Sequence, residues 1–308
     1  MTRASKEVME KLIAGEENKY IRKLINLICN FISNFKVNGY NATEFESMKN
    51  STINVRTKLF IEICENCYLE YERWLKENHA VDFEDMINES ARLLREVKQM
   101  KQKLDFKYII IDEYQDISKQ RFDLTKALSD VTDAKIIAVG DDWQSIYAFS
   151  GSDISLFTKF KEKMGYAKLL KIVNTYRNSQ DVIDIAGNFI QKNTEQITKR
   201  LISSKIIIDP VVIYTYDSTS KGVNQNRRSG TNYAMAHAIE IALSQLIEYK
   251  KQEGKQPETI LLLGRYSFDG DRLERSGLFE YIKKGSRIKS VKYPKLDITF
   301  MTVHSSKG

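Results

Sequence analysis

Before Val81 the apolar residues recur at spacings of three and four, as in Ile21, Leu24, Ile25 and Ile28 and again in Phe60, Ile63, Tyr68, Tyr71 and Trp74. That period predicts amphipathic helices, and the polar run from Asn38 to Ser51 predicts a connector between two of them. From Val81 the pattern changes. Residues 82 to 103 predict a further helix, and Tyr108-Ile109-Ile110-Ile111 is a short apolar, β-branched run that predicts a buried parallel strand. Phe122–Leu128 predicts a helix, Lys135–Val139 a second strand closed by Gly140, and Ser179–Gln191 another helix. A similar unit follows: strand Val211–Tyr216, helix Tyr233–Lys250, strand Thr259–Gly264, helix Leu273–Lys283 and strand Ile298–Val303. The polar stretch Asp217–Gly230 between the first of these strands and its helix predicts a mobile surface loop. Strands alternating with helices, with polar residues gathered at strand ends, is the pattern of an α/β protein.

Composition narrows this picture without redrawing it. The chain has 308 residues, enough for about two domains, and its 42% apolar content can fill real cores. Lys and Arg number 48 against 41 Asp and Glu, and the resulting net charge of +7 suits a polyanionic partner without requiring one. No apolar run reaches the roughly 18 residues needed to span a bilayer, and no secretion signal opens the chain, so the expected location is cytoplasmic and no membrane partner is expected. Three cysteines, Cys29, Cys64 and Cys67, fit a reducing compartment. Cys64 and Cys67 form a solitary C-x-x-C that offers two thiolates where structural zinc takes four ligands, so packing is the expected role. The three prolines all lie at or beyond Pro210, which leaves the first two thirds free to be helix-rich.

The chemistry concentrates at two strand ends. The run Ile109-Ile110-Ile111-Asp112-Glu113-Tyr114-Gln115-Asp116 delivers two adjacent carboxylates to the carboxyl end of a strand, where α/β sheets bind ligands. One carboxylate can hold Mg²⁺ through its water shell while its neighbour orients an attacking water; the same pair also fits a solvated acidic turn. The second strand runs into Gly140-Asp141-Asp142-Trp143-Gln144-Ser145-Ile146-Tyr147-Ala148-Phe149-Ser150-Gly151-Ser152-Asp153. There Gln144 can sense a phosphate or its water, and Tyr147 and Phe149 offer faces on which bases stack, or else core packing.

Taken in order, DEYQD, VGDDWQSIYAFSGSD, Asn174-Thr175-Tyr176-Arg177-Asn178 and Met301-Thr302-Val303-His304-Ser305-Ser306-Lys307-Gly308 resemble motifs II, III, IV and V of the UvrD/Rep-type superfamily 1 DNA helicases. The wording of motifs III and V is most similar to the helicase IV branch. The resemblance covers roughly residues 81 to 308. It implies a P-loop NTPase (RecA-like) α/β fold with parallel-sheet motor domains and a helical insertion: residues 1–80 as a 1B-like insertion, 81–190 as part of motor domain 1A, and 191–308 as part of motor domain 2A with no sizeable 2B domain.

The same resemblance implies an ATP-dependent 3′–5′ DNA helicase or translocase acting on single-stranded or tailed duplex DNA, with ATP and Mg²⁺ at its active site. Asp112 would help hold Mg²⁺ and Glu113 would activate water. Gln144 would couple the γ-phosphate to the DNA groove, and Arg177 would stabilise the γ-phosphate, a task its fixed fork and permanent charge suit. Tyr147 and Phe149 fall where the family stacks bases; Thr302 and His304 fall where motif V meets DNA.

Two departures stand beside these correspondences. Family members commonly carry arginines near Ala148 and Ser150, which implies a weaker phosphate contact there. No G-x-x-x-x-G-K-S/T loop occurs anywhere in the sequence, so the cradle for a triphosphate is missing. Motifs I, Ia and VI are likewise not found, which leads us to expect a fragment of a longer helicase, inactive as an ATPase by itself. Two alternatives stay open: a degenerate, nucleotide-independent DNA-binding scaffold, and the motor part of a helicase–nuclease.

Overall fold

Helices dominate the first part of the chain in the computed structural model, which describes residues 18–99, 104–207, 210–217, 230–252, 254–255 and 259–307. The apolar stripes fold as α1 (Asn18–Val37), α3 (Val55–Glu77) and α4 (Phe83–Gln99). Asn54 starts α3 by accepting hydrogen bonds from the Arg56 and Thr57 amides, which a helix cannot satisfy internally at its first turn. The predicted connector from Asn38 to Ser51 holds a helix of its own, α2 (Glu44–Asn50). Phe45 of this helix is fully buried against Phe35, Ile61, Cys64 and Tyr68, and Met48 is partly buried on the same core, so two anchoring side chains override a polar composition. Phe35 and Phe45 stack at 4.3 Å between centroids. Cys64 lies in that core and Cys67 on the surface, and burial pushes the Cys64 thiol up to about 11. Both are free thiols, and no metal-binding cluster of three or more His, Cys, Asp or Glu occurs among the described residues.

Strands β1 (Tyr108–Ile111) and β2 (Lys135–Ala138) pair in parallel, with Ile109 opposite Ile136 and Ile111 opposite Ala138. Helix α5 (Lys119–Thr132) joins them, as a parallel crossover requires. Ile111 and Ala138 pack onto Tyr114, Ile117, Phe122 and Leu156. The strand is parallel but not buried as predicted: Ile110 on the opposite face is 71% exposed. Side chains alternate across a sheet, and only one face of this two-stranded sheet is covered. The short helices α6 (Ser155–Thr158) and α7 (Phe160–Met164) follow, then α8 (Gln180–Ile190).

A second sheet has the order β3-β6-β5-β4. Strands β3 (Ile260–Gly264) and β6 (Ile298–Thr302) are parallel, whereas β4 (Phe279–Ile282) and β5 (Arg287–Ser290) form an antiparallel hairpin on the β6 edge. Helices α9 (Gly230–Gln252) and α10 (Phe268–Ser276) cover it, and Ala236, Leu243, Leu273, Phe279, Ile288, Ile298 and Phe300 form the core.

Two predictions fail in this region. Leu273–Lys283 is not one helix: Gly277, at a φ of 75°, ends α10, and the residues after it turn into β4. Val211–Tyr216 forms no strand, and Ile213 is 83% exposed. Residues 218–229 of the predicted loop and residues 100–103 at the end of the helix predicted over residues 82 to 103 lie outside the described residues. Among the described residues, no helix is long and apolar enough to cross a membrane.

The chain divides into two compact units, one running to Thr175 and including Ile183–Ile202, the other formed by Tyr176–Val182 and the chain from Ser203 onward.

Candidate functional site

In the first unit, the carboxyl ends of β1 and β2 lie side by side because the strands are parallel and in register. Just beyond β1, Glu113 sits in the left-handed region at φ 48° and ψ 40°, a conformation that costs a residue with a Cβ and that clusters at functional sites. Asp112 Oδ1 accepts the Glu113 amide at 2.9 Å, so the first carboxylate braces the turn that displays the second. Both side chains are exposed.

Gln115, fully buried, ties the two strand ends together. Its Nε2 donates to Glu113 Oε2 at 2.5 Å, and its Oε1 accepts the Asp141 amide at 3.0 Å. Asp141 Oδ2 in turn accepts from Gln144 Nε2 at 2.9 Å. Glu113, Gln115, Asp141 and Gln144 thus form one hydrogen-bonded chain linking the acidic strand end to the motif III loop. Gly140 makes the approach possible, since a Cβ there would lie 2.5 Å from Gln115 Oε1 and 3.1 Å from the Tyr114 amide nitrogen.

Lys199 anchors the same loop. Its ammonium reaches Asp141 Oδ1 at 2.5 Å and Asp142 Oδ1 at 2.6 Å, and stands 4.9 Å from the centre of the Trp143 ring. Asp142 is almost completely buried and also accepts the Ile197 amide at 2.7 Å, so a buried charge is both paired and hydrogen-bonded. Burial pushes the Asp141 carboxyl up, but the hydrogen bonds from Lys199 and Gln144 and the charge of Lys199 outweigh it and hold the group below the usual carboxylate range.

Tyr147 and Phe149 meet edge to face at 6.0 Å, with Phe149 63% exposed and Tyr147 half-buried. Asp112, Glu113, Gln144, Tyr147 and Phe149 all belong to the first unit; Arg177, Thr302 and His304 belong to the second. Arg177 is exposed, and its carbonyl accepts from Lys205 Nζ at 3.4 Å. Thr302 closes β6 in a tight turn, its amide donating to Ser305 Oγ at 2.9 Å, and His304 is exposed on that turn.

The donor set suits a hydrated magnesium ion, which keeps most of its waters and takes one or two carboxylates: Asp112 and Glu113 are adjacent, exposed and fixed by the turn. Sequence reasoning did not find the roles of Gln115 and Lys199. Gln115 stands in the DExQD string and could have been noticed there; Lys199 carries no local signal, being 57 residues from Asp142.

A model of the UvrD/REP helicase N-terminal domain matches residues 2–165. DNA helicase IV of Escherichia coli (strain K12) is 28% identical over 295 residues, which are 95% of this chain and 37% of that protein. The ATP-dependent DNA helicase PcrA of Staphylococcus epidermidis is 30% identical over 227 residues, 70% of this chain and 31% of that protein. A putative ATP-dependent DNA helicase, YjcD of Bacillus subtilis, is 29% identical over 218 residues, 68% of this chain and 26% of that protein. The chain therefore spans between 26% and 37% of the length of these relatives.

Proposed function

The chain belongs to the UvrD/REP helicase family, and from that premise we propose that it is RecA-like motor material of a DNA translocase that moves 3′ to 5′ on single-stranded DNA at the expense of ATP. The observation that carries this reading is the hydrogen-bonded chain from Glu113 through Gln115 and Asp141 to Gln144. Such a chain lets the position of a group at the acidic strand end bias the loop that bears Tyr147 and Phe149. In this reading Asp112 would hold a hydrated Mg²⁺, which would offset the charge of phosphate oxygens, and Glu113 would take the proton of the attacking water. Gln144 reads the terminal phosphate, Arg177 faces the charge that builds on it, and Tyr147, Phe149, Thr302 and His304 contact DNA. Residues 1–80 serve as the helical insertion, 81–190 as motor domain 1A and 191–308 as motor domain 2A.

The 308-residue chain offers no G-x-x-x-x-G-K-S/T loop, and phosphoryl transfer depends on holding the triphosphate in place. We therefore propose that it binds single-stranded DNA without turning over ATP. The missing loop also favours a second reading, a DNA-binding scaffold that needs no nucleotide.

Two measurements test these statements together: phosphate release with ATP, Mg²⁺ and single-stranded DNA, and fluorescence anisotropy of a labelled oligothymidylate. The expected result is binding with no DNA-stimulated release. Release at the rate of a full-length relative would overturn the claim of inactivity, and no oligonucleotide binding even at low salt would overturn the translocase reading. If adding ATP and Mg²⁺ to the chain changes its DNA affinity, the scaffold reading fails.

A further inference from the structure

Six cations of the second unit, Lys283, Lys284, Arg287, Lys289, Lys292 and Lys295, follow one another with no acidic residue between them. All six are exposed. Like charges crowded on one surface repel one another, and the strain is relieved when a polyanion settles over them.

The β4–β5 hairpin sets these charges out in a row. Gly285 at φ 90° and Ser286 at φ 53° turn the chain from β4 into β5, and Lys284 stands in that turn. Ile288 and Ser290 are buried, so Arg287 and Lys289 lie on the opposite, open face of the sheet, about 6–7 Å apart along the strand. Lys292 and Lys295 continue beyond the end of β5. Of the six, only Lys283 is in an ion pair among the described residues, with Asp271 at 3.0 Å; Glu280 stands opposite Lys289 in the hairpin register. Lysines on an edge strand commonly guard against pairing with another chain. That role does not account for this row, because the edge is β4, built of Phe279, Glu280, Tyr281 and Ile282, whereas Arg287 and Lys289 lie on β5 between β4 and β6.

The chemistry of the row narrows the choice of polyanion. Proteins hold single strands with cations interleaved with rings on which unpaired bases stack. The one ring within this run, Tyr293, is half-buried against the core of the unit, so the surface offers charge without a free stacking face. Duplex DNA has its bases already stacked on one another and presents a negative charge every ~1.7 Å of its axis, twice the density of either strand alone. The hairpin also adjoins the strand that ends in Thr302: the Phe300 amide donates to the Ser286 carbonyl at 2.7 Å, and Arg287 stands opposite Thr299.

We propose that the β4–β5 hairpin and the segment that follows it to Lys295 form a surface for the backbone of duplex DNA, with Lys284, Arg287, Lys289, Lys292 and Lys295 on its phosphates. The proposal rests on the translocase reading and adds to it a surface for the paired part of a tailed substrate. Contacts to phosphates fix position and carry no sequence information, so this surface accepts any duplex.

The test is anisotropy of the 308-residue chain with two labelled probes, a blunt self-complementary duplex and an oligothymidylate, titrated across a range of salt. The parent is expected to bind both. A triple variant, Lys284→Gln with Arg287→Gln and Lys292→Gln, removes three phosphate contacts, so its duplex affinity should fall about ten- to a hundredfold near 0.1 M salt and its salt slope should become shallower by about 2–3. Its oligothymidylate affinity should stay within about twofold of the parent's, since the probe without a duplex does not reach the hairpin. Lys284→Arg with Arg287→Lys keeps every charge and should keep duplex binding, which a role in shape alone would not predict. If the parent binds oligothymidylate but its duplex binding is missing at low salt, or is the same in the triple variant, the duplex surface is refuted and the translocase reading survives. Equal losses on both probes would assign the hairpin to the single strand and overturn the proposal. Binding to phosphatidylserine vesicles that the triple variant loses, with duplex binding unchanged, would give the patch to a membrane and overturn it as well. If the parent binds neither DNA probe, both readings fall. Thermal melting checks each variant; should the triple variant unfold early, Lys284→Gln with Lys292→Gln, both outside the strands, decides.

Discussion

Gly140 shows how much of the site depends on one hydrogen in place of a methyl group. It lies where β2 hands over to the motif III loop, and a Cβ would intrude on Gln115 Oε1, on the Phe157 ring at 3.0 Å and on the Tyr114 amide. Gln115 cannot swing aside, because it is buried and committed to Glu113 and Asp141. Gly140→Ala should therefore destabilise the first unit by about 1–3 kcal/mol, the usual cost of overpacking, read as a lower midpoint in urea unfolding. An unchanged midpoint would mean that the Glu113-to-Asp141 bridge is looser than its geometry implies. The sequence shows Gly140 as a strand terminator and Gln115 as one fixed letter of a string, so the members of this bridge were visible. Their contact was not, because 26 residues separate Gln115 from Asp141 and no local pattern encodes such a closure. Lys199 is harder still, since nothing in its own neighbourhood separates it from any other lysine of a basic chain.

At the scale of elements, the helices before β1 are pinned by a buried ammonium. Lys36 of α1, 3% exposed, lies 2.8 Å from Glu72 of α3, 2.6 Å from Asp82 and 2.6 Å from Asp85 of α4. Burial alone would lower the Lys36 pKa, but hydrogen bonds to Asp82, Asp85 and Glu72 raise it well above its ordinary value. For Asp82 burial acts upward, and the bonds from Lys36 outweigh it, leaving the carboxyl depressed. A raised lysine stabilises the fold throughout the range below its unfolded value, so the sensitive side is acid. The depressed Asp82 stabilises above its unfolded pKa, and that contribution is lost as pH falls through the folded one. Lys36→Met leaves the acids without their cation and should cost about 3–5 kcal/mol at neutral pH. In that variant burial raises Asp82 instead, so acidification from pH 7 should narrow the gap to the parent; urea melts between pH 7 and pH 4 measure this, and a constant gap would contradict it. Long amphipathic elements such as α3 were legible because their period repeats over many residues. The elements misread were short: α2 is held by Phe45 and Met48, β4 is made by the hairpin it joins, and the Val211–Tyr216 run has strand composition but pairs with no strand among the described residues.

For the molecule as a whole, the excess of 48 basic over 41 acidic residues says little until the cations already engaged are set aside. Lys36 and Lys199 serve internal carboxylates, and Arg272 and Lys283 pair with Asp269 and Asp271. What remains available to a phosphate backbone is local, and Arg265, exposed just beyond the end of β3, is one such cation. Binding to single strands releases counterions, so affinity should fall with salt along a straight line in logarithms, each phosphate contact adding about −0.7 to the slope. Stacking releases no counterions and should leave that slope alone. Arg265→Ala is thus expected to make the slope shallower by about 0.7, whereas Phe149→Leu should shift the line downward without tilting it. Titrations of a labelled oligothymidylate between about 50 and 200 mM salt distinguish the two, over the range where such electrostatics are strongly expressed. Equal slopes for the parent and Arg265→Ala would remove Arg265 from the phosphate contacts.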